Sequence, residues 1–259
     1  MRICRIRSRR TQRLHLTVLE EDSFRLLEGD PERSLNPDAG SVSLEDAEIL
    51  APVTPSKILA IGRNYAAHAR ELGNVVGEIP LMFSKPPSSV IGPGQTIILP
   101  PESDRVDHEG ELAIVIGKRC RRVSSEKWRE VVLGFTCAND VTARDIQKRD
   151  VQFTRGKGFD TFCPIGPWIE TELDPADVRV STRVNGELRQ DGRTSDLAFP
   201  IPYLVEFVSA SMTLEPGDLI LTGTPQGVGP LREGDLVEVE VEGVGTLLNR
   251  VAKEISSDD

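Results

Sequence analysis

The sequence predicts an α+β fold dominated by β-structure, and three observations carry that prediction. Short apolar or alternating runs recur along the chain, bounded by Gly, Pro, Asn and Asp. Helical patterns are few and short. Strict strand–helix alternation is missing, which excludes a TIM barrel and a Rossmann sheet; there is also no Gly-x-Gly-x-x-Gly and no P-loop.

In chain order, RICRIR, a turn near Ser8 to Thr11, and RLHLTVLE read as a strand pair. LHLTVLE and SFRLLEG form a further pair joined at Glu21-Asp22. Gly29-Asp30-Pro31 is a turn, and the polar stretch to Asp46 reads as a loop. Residues 1–52 thus form a small β-rich N-terminal appendage. APVTPSK (51–57) leads into a main domain at 53–255. There KILAIG is a strand ending at Gly62, and Asn64 caps a short helix, YAAHAREL, that stops at Gly73. LMFSKP and TIILP are strands on either side of the Gly92-Pro93-Gly94 turn, and ELAIVIG is a third. Ser125 opens a helix, EKWREVVL. FTCAND leads to another, VTARDIQKR, with Asp140 as its cap. CPIGPWIE, a hairpin turning at Asn185-Gly186, DLILTGTP and LVEVEVEG supply the remaining strands, and ISSDD is a frayed tail.

The 259 residues are enough for one large domain with an appendage. Net charge is −10, which disfavours nucleic acid as a partner, because phosphate binding needs clustered Lys and Arg. Aromatic residues make up only 5%, so a base-stacking platform is also disfavoured. Arg2, Arg5, Arg7, Arg9, Arg10 and Arg13 crowd the start of the chain. Their alternation with Ile3, Cys4 and Ile6 favours a strand over a transit peptide, and no apolar core of a secretory signal accompanies them. No apolar run approaches the ~20 residues of a membrane span. Cys4, Cys120, Cys137 and Cys163 contain no Cys-x-x-Cys pair. Free thiols in a reducing cytoplasm follow as the expectation.

Chemistry concentrates in a few segments. Glu109 and Glu111 flank Gly110 at the start of a strand, where alternate side chains share a face. Two carboxylates about 5 Å apart repel by roughly 3 kcal/mol at an effective dielectric of about 20. A third, Asp140, would add to this, so a hard cation such as Mg²⁺, Mn²⁺ or Ca²⁺ suits the set. Asp140, Arg144 and Gln147 fall at i, i+4 and i+7 of the expected helix. Arg144 there could flank a ligand or balance the carboxylates. His68 and Glu71, at i and i+3, have the spacing for a carboxylate to orient an imidazole base; the bland alternative is a surface pair. His108 neighbours Glu109 but should point to the opposite face, so it is left out of the ligand set. Lys157 lies between Gly156 and Gly158, which would allow close approach to a ligand. Thr224, in the Gly-rich TGTPQGVG, could help to grip an anion.

Taken together, GRNYAAHARELG (62–73), FSKP (83–86), DHEGELAIVIGKR (107–119), NDVTARDIQ (139–147), GKGFDTFCPIGP (156–167), VNGELRQ (184–190) and LTGTPQGVG (221–229) resemble the fumarylacetoacetate hydrolase family, in the family's order. Each motif is weak alone; the ordered set is specific and covers about four-fifths of the chain. The resemblance implies a mixed β-sandwich roll, a homodimer and a cation, Mg²⁺ or Mn²⁺, held by Glu109, Glu111 and Asp140. It implies a catalytic dyad of His68 and Glu71 on a lid. Arg144, Gln147, Lys157 and Thr224 would hold the keto-acid end of the substrate. The long N-terminal domain and an earlier Asp ligand of the animal fumarylacetoacetases have no counterpart here, so the likeness is to the short bacterial members. The expected activity is C–C hydrolysis of an acylpyruvate-type 2,4-dioxo acid through a metal-bound enolate. The alternatives are 2-hydroxyhepta-2,4-diene-1,7-dioate isomerisation or decarboxylation, and oxaloacetate decarboxylation. A non-catalytic metal-binding β domain is the alternative of another class; it does not explain His68-x-x-Glu71.

Overall fold

The computed structural model describes residues 1–27 and 40–254; the turn expected at Gly29-Asp30-Pro31 and the tail ISSDD lie outside the described residues. The N-terminal strands are β1 (Arg2–Ser8), β2 (Leu14–Leu19), β3 (Ser23–Leu26), β4 (Ser41–Ser43) and β5 (Ala47–Ile49). β1 and β2 pair antiparallel, as do β2 and β3, so both expected hairpins form. The stretch before Asp46 is not all loop: β4 closes onto β3. β6 (Ile58–Gly62), α1 (Ala66–Glu71), β7 (Leu81–Lys85), β8 (Val90–Ile91) and β9 (Thr96–Leu99) follow. Then come β10 (Val106–His108), β11 (Gly110–Ile116), β12 (Val132–Asn139), β13 (Thr142–Ala143), α2 (Arg144–Arg149), α3 (Thr154–Lys157) and β14 (Cys163–Glu170). The chain ends with β15 (Arg179–Val184), β16 (Glu187–Arg193), α4 (Ile201–Ser211), β17 (Leu219–Leu221), β18 (Gly229–Pro230), β19 (Leu236–Val241) and β20 (Gly245–Lys253).

The main sheet runs β4-β3-β2-β1-β14-β12-β11-β17-β6-β7, with β5 and β8 attached off that path. A five-stranded sheet, β16-β15-β19-β20-β9, and a three-stranded one, β13-β10-β18, complete the α+β, mainly-β architecture. The unbroken apolar run of β11 follows from burial on both faces. Leu112, Ile114 and Ile116 join a core shared with Val180, Val239 and α4. Ala113 and Val115 join a second core with Ala60, Ile165 and Leu221. Each fully buried Leu, Ile or Val contributes about 1.5–3 kcal/mol, so a slip of register here would be costly.

Three helix assignments from sequence need correction. Asn64 does not cap α1; Tyr65 occupies that position, and the Asn64 amide instead bonds the carbonyls of Phe199 and Thr222. EKWREVVL forms only a 3₁₀ turn at Trp128–Glu130 before β12 begins, because its Val and Leu pack into the sheet. VTARDIQKR begins as a short strand, and α2 starts at Arg144 with Ala143 as its cap.

Candidate active site

The register places four strand ends side by side: the carboxyl ends of β6, β12 and β17, and the amino end of β11. That edge holds the site. Glu109 immediately precedes β11, Glu111 is its second residue, and Asp140 immediately follows β12. The backbone fixes their spacing, since the Glu109 N–H donates to Asn139 Oδ1 and the Asp140 N–H to the Glu109 carbonyl. One oxygen from each of the three carboxylates lies within 4.8 Å of the others, and all three residues are buried.

Buried cations close around this set. Lys157 Nζ donates to Glu109 Oε2 at 2.7 Å and also to Asp140 Oδ2. Lys85 Nζ donates to Asp140 Oδ1 at 2.7 Å and to the Val141 carbonyl at 3.2 Å. Arg144 bonds Asp107 through Nε, Glu109 through Nη2 and Gln147 through Nη1. Burial would raise the Glu109 carboxyl, but Lys157 and Arg144 outweigh it and hold the group well below the usual carboxylate range. Glu111 shows the reverse. Burial, then the charge of Asp140, push it well above that range, against Lys157 and the N–H of Gly223. Lys157 stays charged because Asp140 and Glu109 outweigh its burial. Four buried acids, Asp107 included, thus meet three buried cations. Arg105 also pairs with Asp107, so the formal charges balance; it is the all-oxygen donor set of Glu109, Glu111 and Asp140 that fits a hard divalent cation.

His68, on α1, lies in the same cavity as the three carboxylates. Its Nδ1 is 3.2 Å from Glu71 Oε2, and Glu71 accepts the Gly227 N–H at 3.0 Å. The pair spacing read from sequence is therefore realised, with the imidazole buried rather than on the surface. Arg144, Gln147, Lys157 and Thr224 also line this cavity, of about 320 Å³. Their side chains are largely engaged already. Arg144 takes the charge-balancing part. Thr224 Oγ1 donates to the Gly110 carbonyl and accepts from Gln190.

The flanking glycines serve packing instead of ligand approach: a Cβ on Gly156 would meet Gln147, and one on Gly158 would meet Thr154 and Pro86. Asp140 belongs to the connection before the helix, so the helical residues at the cavity are Arg144, Gln147 and Lys148, with Val151 just beyond the helix end. His108 turns away, as expected, toward Gln190. The sequence motifs FSKP and VNGELRQ contain Lys85 and Gln190 but assign neither a part in the site. Lys85 is only 1% exposed, and an apolar strand ending in Lys-Pro was its one local signal.

The fold and the site define a mixed-β protein that gathers a buried carboxylate cluster beside a His–Glu pair. The chain belongs to the fumarylacetoacetate hydrolase family: residues 57–252 match the model described as fumarylacetoacetate (FAA) hydrolase C-terminal, and residues 1–52 match one described as Rv2993c-like, N-terminal. It is 46% identical to the oxaloacetate tautomerase YisK of Bacillus subtilis, over 81% of this chain and 74% of that protein. It superposes with a TM-score of 0.90 on a 5-carboxymethyl-2-hydroxymuconate delta-isomerase from Mycobacterium smegmatis, 48% identical, covering 99% and 100% of the two chains. Maleylpyruvate hydrolase from Sphingobium sp. SYK-6, solved with manganese(II) and pyruvate, is 35% identical, with a TM-score of 0.81 over 98% and 100% of the chains.

Proposed function

We propose that this chain is a divalent-cation-dependent enzyme that moves a proton at the carbon beside the carbonyl of a small 2-oxo acid. Such a transfer interconverts keto and enol forms or shifts a double bond. The observation that carries this reading is the convergence of the His68–Glu71 pair and the three-carboxylate cluster on one cavity. Relatives support the reaction class: those named tautomerase and isomerase are 46% and 48% identical, the hydrolase 35%. Acylpyruvate C–C hydrolysis is therefore the second reading, favoured by the hydrolase that binds manganese and pyruvate.

Glu109, Glu111 and Asp140 would hold Mg²⁺ or Mn²⁺, whose charge beside the 2-oxo oxygen lowers the cost of negative charge developing there. The remaining work falls to the protein. Glu71, itself fixed by the Gly227 N–H, orients His68 through Nδ1. That assigns the proton to Nδ1 and leaves Nε2 as the basic nitrogen. His68 would take the proton from C3 of the substrate and return it at another atom, so no proton is gained or lost overall. For hydrolysis the same imidazole would instead deprotonate an attacking water.

The test follows the loss of enol-oxaloacetate absorbance with metal-stripped protein, before and after Mg²⁺ or Mn²⁺ is restored, with acetylpyruvate run in parallel by NMR. Metal-dependent acceleration of enol decay supports proton transfer. Acetate and pyruvate without such acceleration would move the assignment to hydrolysis, and turnover of neither substrate would sink the reading. His68→Ala should lower turnover about 10²–10⁴-fold while calorimetric Mn²⁺ binding persists. A homodimer in the cytoplasm is proposed on the family resemblance alone, and sedimentation equilibrium would decide the dimer. No helix among the described residues is long and apolar enough to cross a membrane.

A further inference from the structure

The cations at the cavity floor have little left to offer a substrate. Lys85 and Lys157 are bonded to Asp140 and Glu109, and all three guanidinium nitrogens of Arg144 are taken. Two other basic residues line the same cavity, Arg63 and Lys148. Both are exposed, and neither side chain forms an ion pair or hydrogen bond with another of the described residues. They come from different elements: Arg63 directly follows β6, and Lys148 is on α2, one turn past Arg144. Arg63 does not sit on a loose loop. Its φ is 60°, in the left-handed region that non-glycine residues rarely adopt. Asn64, beside it, is pinned by bonds to Phe199 and Thr222 and packs against Gly223. A strained, anchored backbone that directs a cation toward a cavity is a reason to look for a ligand there.

We propose that Arg63 and Lys148 form the subsite for the distal carboxylate of the substrate, and so select 2-oxo dicarboxylates over 2-oxo monocarboxylates. The inference rests on the reading of the floor as the site for the 2-oxo acid end. It adds what lies beyond C3. Phe83, Phe153 and Leu72 also line the cavity, apolar surface that suits a short carbon chain. The cavity, about 320 Å³, is at the small end of ligand pockets, which commonly span ~300–1,000 Å³.

The experiment uses calorimetry on the Mg²⁺-loaded full chain with three probes. Oxalate engages the floor alone. 2-Oxopentanoate and 2-oxoglutarate have equal chain length and differ in the distal carboxylate. The wild type is expected to bind 2-oxoglutarate about tenfold more tightly than 2-oxopentanoate. In the double variant Arg63→Gln, Lys148→Gln that preference should vanish while oxalate affinity holds, and Arg63→Lys should keep part of it. Both positions are exposed, so the variants should fold, and unfolding curves check this. A preference that survives the double variant, or a wild type with none, overturns the proposal and leaves the floor reading intact. A wild type that binds none of the three acids overturns both.

Discussion

At the residue scale, the decisive groups are those whose charges cannot be satisfied singly. Lys85 is the plainest case. Replacing it with Met leaves Asp140 buried with Lys157 as its one remaining cation, and breaking a buried pair typically costs about 3–5 kcal/mol. Lys85→Met should therefore lower the urea midpoint strongly, and added Mn²⁺ should recover part of the loss, since a cation bound only to the folded state stabilises it. Little change in the midpoint would show that Lys157 alone balances Asp140. Asp218 makes a pH-dependent contribution. Burial would raise its carboxyl, but Lys57, Ser56 and the Glu215 N–H outweigh this and hold it below the ordinary value. The stabilisation is thus present above the unfolded pKa, near 4, and lost as pH falls through the depressed folded value. Asp218→Asn should flatten that part of a stability profile taken from pH 6 down to pH 2. The thiols give a third expectation. Burial pushes Cys4, Cys137 and Cys163 up to about 12, and Cys120 alone is half-buried. A thiol reagent at neutral pH should label at most Cys120 in the native protein and all four after denaturation.

At the element scale, the glycine between the two glutamates has a purpose visible only in three dimensions. A Cβ on Gly110 would collide with Thr182 Oγ1 and crowd Val239 of the sheet behind. Gly110→Ala should push β11 away from β15 and spread the carboxylates. It should weaken Mn²⁺ binding more than a conservative change on the outer strands, as read by calorimetry. The sequence disclosed most strands because each is short, apolar and punctuated, and it disclosed Glu109, Glu111, Asp140 and the His68–Glu71 spacing. It did not disclose α4 or β20, nor that the helix after Asp140 begins only at Arg144. Helical pattern and strand pattern overlap over six residues, and tertiary packing decided between them. Lys85 and Gln190 were hidden for another reason: their partners, Asp140 in one case and His108 and Thr224 in the other, are distant in sequence.

At the scale of the molecule, the N-terminal strands do not stand apart from the rest. β1 pairs with β14, and the main sheet continues from β4 through to β7. Arg2 also lies over the ring of Trp168, and the chain's amino group bonds Glu170. One cooperative thermal transition is expected, with loss of near-UV signal and of secondary structure superimposed. A chain lacking residues 1–50 should expose the edge of β14 and self-associate. Two well-separated transitions would mean that the appendage folds on its own.

The register at the site edge has a kinetic consequence. β6 pairs locally with β7, but it joins the carboxylate-bearing strands only through its parallel pairing with β17, Ile58 opposite Leu219, which is distant in sequence. Pairings of such sequence separation form slowly. The β11–β12 ladder that carries the carboxylates is comparatively local. During refolding, the acidic half of the centre should therefore mature before the basic half, giving an early species that captures manganese and a later one that turns over substrate.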